Sequence, residues 1–91
     1  MTTKPPAEIN YAGDDNFTKK IYSAIDELKE IIPVDSDRYR LSFCLNMYFT
    51  NQITDMMDAV DQADPRSSTL NYPELFKRIR QIFNERGIKK D

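Results

Sequence analysis

The segment from residue 41 to residue 60 constrains the fold most, because its apolar side chains do not fit on one face of a helix. One set of them forms a stripe with helical spacing: Phe49, Ile53, Met56 and Val60. Phe43 and Met47 point to the opposite side, and Thr50 continues that side. A helix of this kind needs partners on two sides. We expect either that neighbouring helices cover both sides or that a second protein chain covers the side of Phe43.

The length and composition of the chain favour one small helical domain. The 91 residues are enough for a modest core, near the size at which oligomerisation often completes a fold. Apolar residues make up 40% of the chain and charged residues 31%, a balance that is typical of folded proteins and not of disordered ones. The presence of only two glycines argues against a turn-rich β fold.

The first helix is predicted from about residue 15 to residue 32, after a flexible tail over residues 1–13. The tail contains Pro5, Pro6 and few apolar residues, so it has little to fold around. Pro33 ends the helix, because a proline restricts the residue before it and lacks a backbone donor. The apolar face of this helix is regular: Phe17, Ile21, Ala24, Ile25, Leu28, Ile31 and Ile32. Residues 14–91 are thus expected to form a single helical domain.

A long central helix is predicted from about 37 to 63, with a cap at Asp35 or Ser36 and an end at Asp64–Pro65. Along its outer side near the C-terminus lies an acidic ridge with a spacing of three: Asp55, Asp58, Asp61 and Asp64. Carboxylates there oppose the negative end of the helix dipole. We expect them to form a solvated, partly ion-paired face or to dock a basic partner. A divalent-ion site is disfavoured, since a regular helix cannot turn all four onto one ion.

A third helix, from about 72 to 86, has the clearest start signal. Asn71 is expected as N-cap, with Glu74 three residues later and Pro73 in the first turn, and Gly87 suits the C-terminal cap. Its apolar face consists of Tyr72, Leu75, Phe76, Ile79, Ile82 and Phe83. Three helices with short connections predict an all-α fold, an antiparallel three-helix bundle with a long central helix.

The charge of the chain is unevenly distributed. Residues 1–70 carry seven basic and twelve acidic side chains, whereas residues 71–91 carry six basic and three acidic ones. Arg78 and Arg80 are expected on opposite flanks of the apolar face of the third helix, with Lys77 pointing outward. These cations are expected to be solvated or paired within the chain, or to dock a protein partner. Nucleic acid is the weaker alternative, because the net charge of −2 disfavours contact with phosphate over the rest of the chain.

The residue types present disfavour catalysis and metal binding. The chain contains no histidine, the commonest general base and metal ligand. Cys44 is the single cysteine and lies among apolar residues without a base to activate it. We therefore expect no catalytic residue, no metal and no cofactor. One cysteine, with no signal peptide or long apolar run, predicts a reducing, cytoplasmic location without membrane association.

Together these patterns predict a non-enzymatic protein–protein interaction module of the adaptor, regulator or inhibitor type, acting as a homodimer. The predicted interface residues are Phe43, Met47, Tyr22 and Thr50. The residues predicted to set the orientation of the partner by charge are Asp55, Asp58, Asp61, Lys77, Arg78 and Arg80. The alternative is a nucleic-acid-associated regulator, in which dimerisation through the central helix places two basic C-terminal helices side by side.

Overall fold

The computed structural model describes residues 10–11 and 16–89. Within these residues the chain forms four helices: α1 (Phe17–Asp26), α2 (Asp35–Phe49), α3 (Met56–Ala63) and α4 (Tyr72–Arg86). Two short strands, β1 (Asn10–Tyr11) and β2 (Ile88–Lys89), pair in parallel. The predicted all-α class is confirmed. Of the predicted flexible tail, residues 1–9, 12 and 13 lie outside the described residues.

The apolar face predicted for the first helix is confirmed, although the regular helix is shorter than expected. All seven residues of that face are buried. The α-helix ends at Asp26, and the chain continues in tighter turns, in which the Leu28 N–H donates to the Ile25 carbonyl at 2.9 Å. The start of α2 also differs, since Val34 is its N-cap and no side chain caps it.

The predicted continuous helix over residues 37–63 is wrong, because the chain leaves the helix at Thr50 and begins α3 at Met56. Asn51 has a positive φ of 67°, and its N–H donates to the Tyr48 carbonyl at 3.1 Å. The Gln52 N–H donates to the Met47 carbonyl at 2.8 Å. This pair of hydrogen bonds is the Schellman motif, a common helix ending.

Local chemistry explains why the helix ends there. Thr50, Ile53 and Thr54 are β-branched and therefore weak helix formers, and asparagine tolerates the left-handed conformation better than most residues. The carboxylate of Asp55 then accepts a hydrogen bond from the Met57 N–H at 3.1 Å and caps α3. The predicted three-helix bundle is thus replaced by four helices, and α2 is no longer than α4.

One hydrophobic cluster joins the four helices and β2. Phe49, at the end of α2, makes edge-to-face ring contacts with Phe17 of α1 at 5.3 Å and with Phe83 of α4 at 5.4 Å. Ring pairs of this kind contribute about 0.5–1.5 kcal/mol beyond their burial. The chain reversal before α3 brings three further buried residues to this cluster: Ala59, Val60 and Ala63.

Arg38 is a buried charge at the junction of α1 and α2, with 4% of its surface exposed. Its guanidinium donates to the Ile32 carbonyl at 2.7 Å and to the Asp26 carboxylate at 3.2 Å, and it also pairs with Asp35. The bond to Ile32 gives a donor to a carbonyl that has no helical N–H partner, because the helix does not continue past Pro33. The bonds of Arg38 also hold the turn between the two helices closed.

The predicted start and end of α4 are confirmed. The Asn71 side chain accepts a hydrogen bond from the Glu74 N–H at 3.0 Å, and Gly87 ends the helix in the left-handed conformation with a φ of 67°. In the connection that precedes α4, the Thr69 N–H donates to the Ile31 carbonyl at 2.8 Å. This hydrogen bond holds the connection against the turns that follow α1.

Substitution of Asn51 distinguishes the Schellman turn from a continuous helix. At a left-handed position, Asn51→Gly should raise the free energy of unfolding by up to about 1 kcal/mol and Asn51→Ala should lower it by about 1 kcal/mol. In a helix interior the order would reverse, since alanine is about 1 kcal/mol better than glycine there. Urea unfolding of the two variants measures the sign, and a more stable alanine variant would contradict the turn.

Removal of the buried guanidinium should destabilise the fold strongly. We expect Arg38→Ala to lower the free energy of unfolding by about 2–4 kcal/mol, because the Ile32 carbonyl loses its donor and the packing around the side chain is lost. Lys29→Ala is the matched control, since this ammonium lies 3.9 Å from the same Asp26 at the surface and should contribute less than about 0.5 kcal/mol. Equal effects in denaturant unfolding would contradict the structural role of Arg38.

Candidate functional site

Three aromatic rings from two helices form an exposed surface that we call the aromatic patch: Tyr22 of α1 with Tyr39 and Phe43 of α2. Tyr39 and Phe43 are four residues apart and therefore share a helix face. The rings of Tyr22 and Tyr39 meet edge to face at 5.9 Å. The exposed fractions are 39% for Tyr22, 65% for Tyr39 and 58% for Phe43. A large amount of ring surface thus faces solvent in one place.

A shallow cavity of about 250 Å³ lies in the aromatic patch. Thr18 and Lys19 line it on the side of α1, and Ser42 lines it on the side of α2. The Ser42 hydroxyl donates to the Arg38 carbonyl at 2.9 Å, so its proton is already used within the helix. The cavity therefore suits an apolar side chain, with Lys19 as the charged group at its edge.

The structure brings together two of the four predicted interface residues. Tyr22 and Phe43 lie in the aromatic patch, whereas Met47 is half-buried against the core. Thr50 is the C-cap of α2, and its hydroxyl donates to the Asn46 carbonyl at 3.0 Å. Tyr39 was not among the predicted residues, although its spacing of four from Phe43 was a signal that could have identified it.

The predicted acidic ridge lies entirely on α3 and its two caps, after the break in the predicted long helix. Asp55 is the N-cap of α3 and Asp58 lies in its first turn, where the positive end of the helix dipole stabilises carboxylates. The expectation that these two residues oppose the dipole is therefore wrong. Asp61 is exposed, and Asp64 ends the helix in the left-handed conformation. Among the described residues, no group of three or more ligand-type side chains could hold a metal ion.

Asp64 is the most highly hydrogen-bonded residue of the ridge. Its carboxylate accepts a hydrogen bond from the Arg66 guanidinium at 2.7 Å and one from the Tyr72 hydroxyl at 3.1 Å. The bond from Arg66, followed by that from Tyr72, lowers the pKa of Asp64. Burial and the bond to Asp64 raise the pKa of Tyr72. These contacts hold the connection between α3 and α4, which is a structural role.

Asp37, in the first turn of α2, also holds the connection between α3 and α4. Its carboxylate accepts a hydrogen bond from the Ser67 N–H at 3.1 Å and lies 3.8 Å from the Arg40 guanidinium. Hydrogen bonding from Ser67 lowers the pKa of Asp37 below its ordinary value of 3.8. A carboxyl whose pKa is lowered by folding stabilises the folded state at pH values above its ordinary pKa. This stabilisation is lost as the pH falls through the lowered pKa of the folded state.

The stability difference between the natural chain and Asp37→Asn should therefore depend on pH. At pH 7 we expect the variant to be less stable by about 1 kcal/mol, because an ionised acceptor is replaced by a neutral one. Below about pH 4 the difference should shrink, since the natural carboxyl is then protonated as well. Urea unfolding at several pH values measures this, and a difference that stays constant across the range would contradict it.

The three predicted docking cations are exposed on α4 but belong to two different surfaces. Lys77 and Arg80 line a groove beside Phe76, and the Arg80 guanidinium lies 5.7 Å from the centre of the Phe76 ring. Arg78 lies in a separate depression with two carboxylates, Glu27 and Glu85. Helical spacing places Lys77 and Arg80 on one side of α4 and Arg78 on another, so the three cations do not form one basic row.

The single cysteine is buried in the core, as predicted. Burial raises the pKa of the Cys44 thiol, which disfavours the nucleophilic thiolate.

Comparison of the chain with models of protein families, with curated proteins and with solved structures gave no match. Within the described residues, none of the helices combines the length and the apolar character that a membrane span requires.

Proposed function

We propose that this chain is a non-enzymatic protein-interaction module that associates with a second copy of itself through the aromatic patch. The observation that carries the proposal is the exposure of three neighbouring rings, Tyr22, Tyr39 and Phe43, in a chain with a small core. Burial of an aromatic side chain contributes about 1.5–3 kcal/mol. Tyrosine and phenylalanine are also enriched at the centres of protein interfaces.

The geometry of the patch supports a symmetric dimer. In a two-fold dimer the same surface meets itself, so each copy must offer both a protruding group and a place to receive one. Phe43, which is 58% exposed, is the apolar ring that each copy offers, and the cavity of about 250 Å³ that Phe43 and Tyr22 line is the receiving site. Lys19 at the edge of the cavity keeps a charge at the rim, where it remains hydrated.

The remaining features fit a module of adaptor, regulator or inhibitor type in a reducing, cytoplasmic setting. A single, buried cysteine has no disulfide to form within the chain. With the aromatic patch buried between copies, the acidic residues of α3 and the cations of α4 would be left to orient another protein by charge.

A nucleic-acid-associated regulator is the second candidate, and the observation in its favour is the exposure of Lys77 and Arg80 on one side of α4. Arg78 weakens this candidate, because it lies beside Glu27 and Glu85, which would repel a phosphate backbone. The interaction module is therefore the better supported of the two functions.

The solution mass tests the proposed dimer. Light scattering over a wide concentration range should show that the natural chain is a dimer at high concentration and that Phe43→Asp is a monomer. Burial of a carboxylate in an apolar interface should weaken dimerisation by at least about tenfold, equivalent to 1.4 kcal/mol.

Met57→Asp is the matched control, because Met57 is another exposed apolar residue, at the start of α3. This variant should dimerise like the natural chain, and circular dichroism should show that both variants are folded. A natural chain that stays monomeric throughout, or the same loss of dimer in both variants, would contradict self-association through the aromatic patch.

A further inference from the structure

We propose that a second site, the basic groove, binds an acidic peptide segment that carries a large apolar side chain. The basic groove lies between α4, the end of α2, the start of α3 and β2, and its volume is about 660 Å³. This volume falls within the range of roughly 300–1,000 Å³ that is typical of ligand sites. The residues of the groove that carry the argument are Tyr48, Met56, Phe76, Lys77, Arg80 and Lys89.

The floor of the basic groove is apolar and incompletely covered. Tyr48, Met56 and Phe76 pack against the hydrophobic core, but each remains only partly buried. The three residues come from three different helices, so the floor is a surface that the tertiary fold assembles. A large apolar side chain placed on this floor would bury its own surface and complete the burial of these three residues.

The charged residues that line the basic groove all have the same sign. Lys77, Arg80 and Lys89 line it, and its lining contains no carboxylate among the described residues. Within the described part of the chain none of these three cations forms an ion pair, whereas Arg38 and Arg66 each pair with aspartate. The cations of the groove are therefore available to a carboxylate from outside.

Arg80 is positioned over the floor by an aromatic ring, and no carboxylate among the described residues pairs with it. Its guanidinium lies 5.7 Å from the centre of the Phe76 ring, a cation–π contact that leaves the guanidinium donors unused. A guanidinium can bind a carboxylate through two parallel hydrogen bonds. An acidic side chain next to an apolar anchor would thus meet both the Arg80 guanidinium and the Phe76 ring.

The length of the groove favours a peptide. It follows α4 from Phe76 to Asn84, a rise of about 12 Å along the helix, which corresponds to about four residues of extended chain. A nucleic-acid backbone fits less well, because it offers no apolar group to the floor and the chain as a whole is acidic.

This inference does not rest on the proposed dimer. The basic groove and the aromatic patch share no lining residue, so each site can fail without the other. Phe43→Asp should abolish dimerisation and leave peptide binding within about twofold of the natural value.

The test is fluorescence anisotropy of the full chain with a labelled hexapeptide in which one phenylalanine is flanked by glutamates. We expect saturable binding that weakens at least tenfold in Arg80→Glu, because charge reversal replaces attraction of the peptide carboxylates by repulsion. Arg78→Glu is the matched control, since the same charge change on the same helix lies outside the groove, and it should change the affinity by less than about twofold. Circular dichroism should confirm that both variants are folded.

Two further probes test the chemistry of the ligand. Replacement of the peptide's phenylalanine by serine should weaken binding at least about fivefold, because the floor then gains no apolar contact. A short labelled DNA duplex should bind more weakly than the peptide. The proposal is overturned if the natural chain does not bind the peptide, if Arg78→Glu and Arg80→Glu weaken it equally, if the serine peptide binds as well, or if the duplex binds more tightly.

Discussion

The two hydrogen bonds that end α2 determine the shape of this molecule. The carbonyls of Tyr48 and Met47 accept them from Asn51 and Gln52, and Asn51 adopts the left-handed conformation that they require. A continuous helix would have carried the next apolar residues away from α1 and α4, at about 1.5 Å per residue. Because the chain reverses instead, α3 packs against α2 and Val60 is buried in the common core.

The basic groove depends on this reversal, whereas the aromatic patch depends on the packing of α1 against α2. The basic groove exists because Met56, at the start of α3, is brought beside the end of α2 and the exposed side of α4. The aromatic patch lies on the other half of α2, where α1 covers only part of the helix and leaves Phe43 exposed. Helix α2 therefore contributes to both surfaces: its N-terminal half to the aromatic patch and its last turn to the basic groove.

The sequence predicted helix ends and buried faces correctly where capping residues or regular apolar spacing were present. Asn71 and Gly87 predicted the ends of α4, and the apolar spacing from Phe17 to Ile32 predicted a face that is buried throughout. The same kind of reasoning failed over residues 50–55, although Asn51 and Asp55 are residues typical of a helix end and a helix start. The apolar stripe from Phe49 to Val60 has helical spacing, but spacing alone does not distinguish one long helix from two that pack together.

The sequence by itself determined the helical class, the buried face of α1 and the ends of α4, because these follow from local propensity and spacing. Only the tertiary structure decided that Tyr39 and Phe43 form one exposed patch with α1, that Met47 packs against the core, and that Lys77 and Arg80 line a groove. The physical reason is that each of these surfaces is assembled from different helices, and local sequence patterns do not specify how the helices pack.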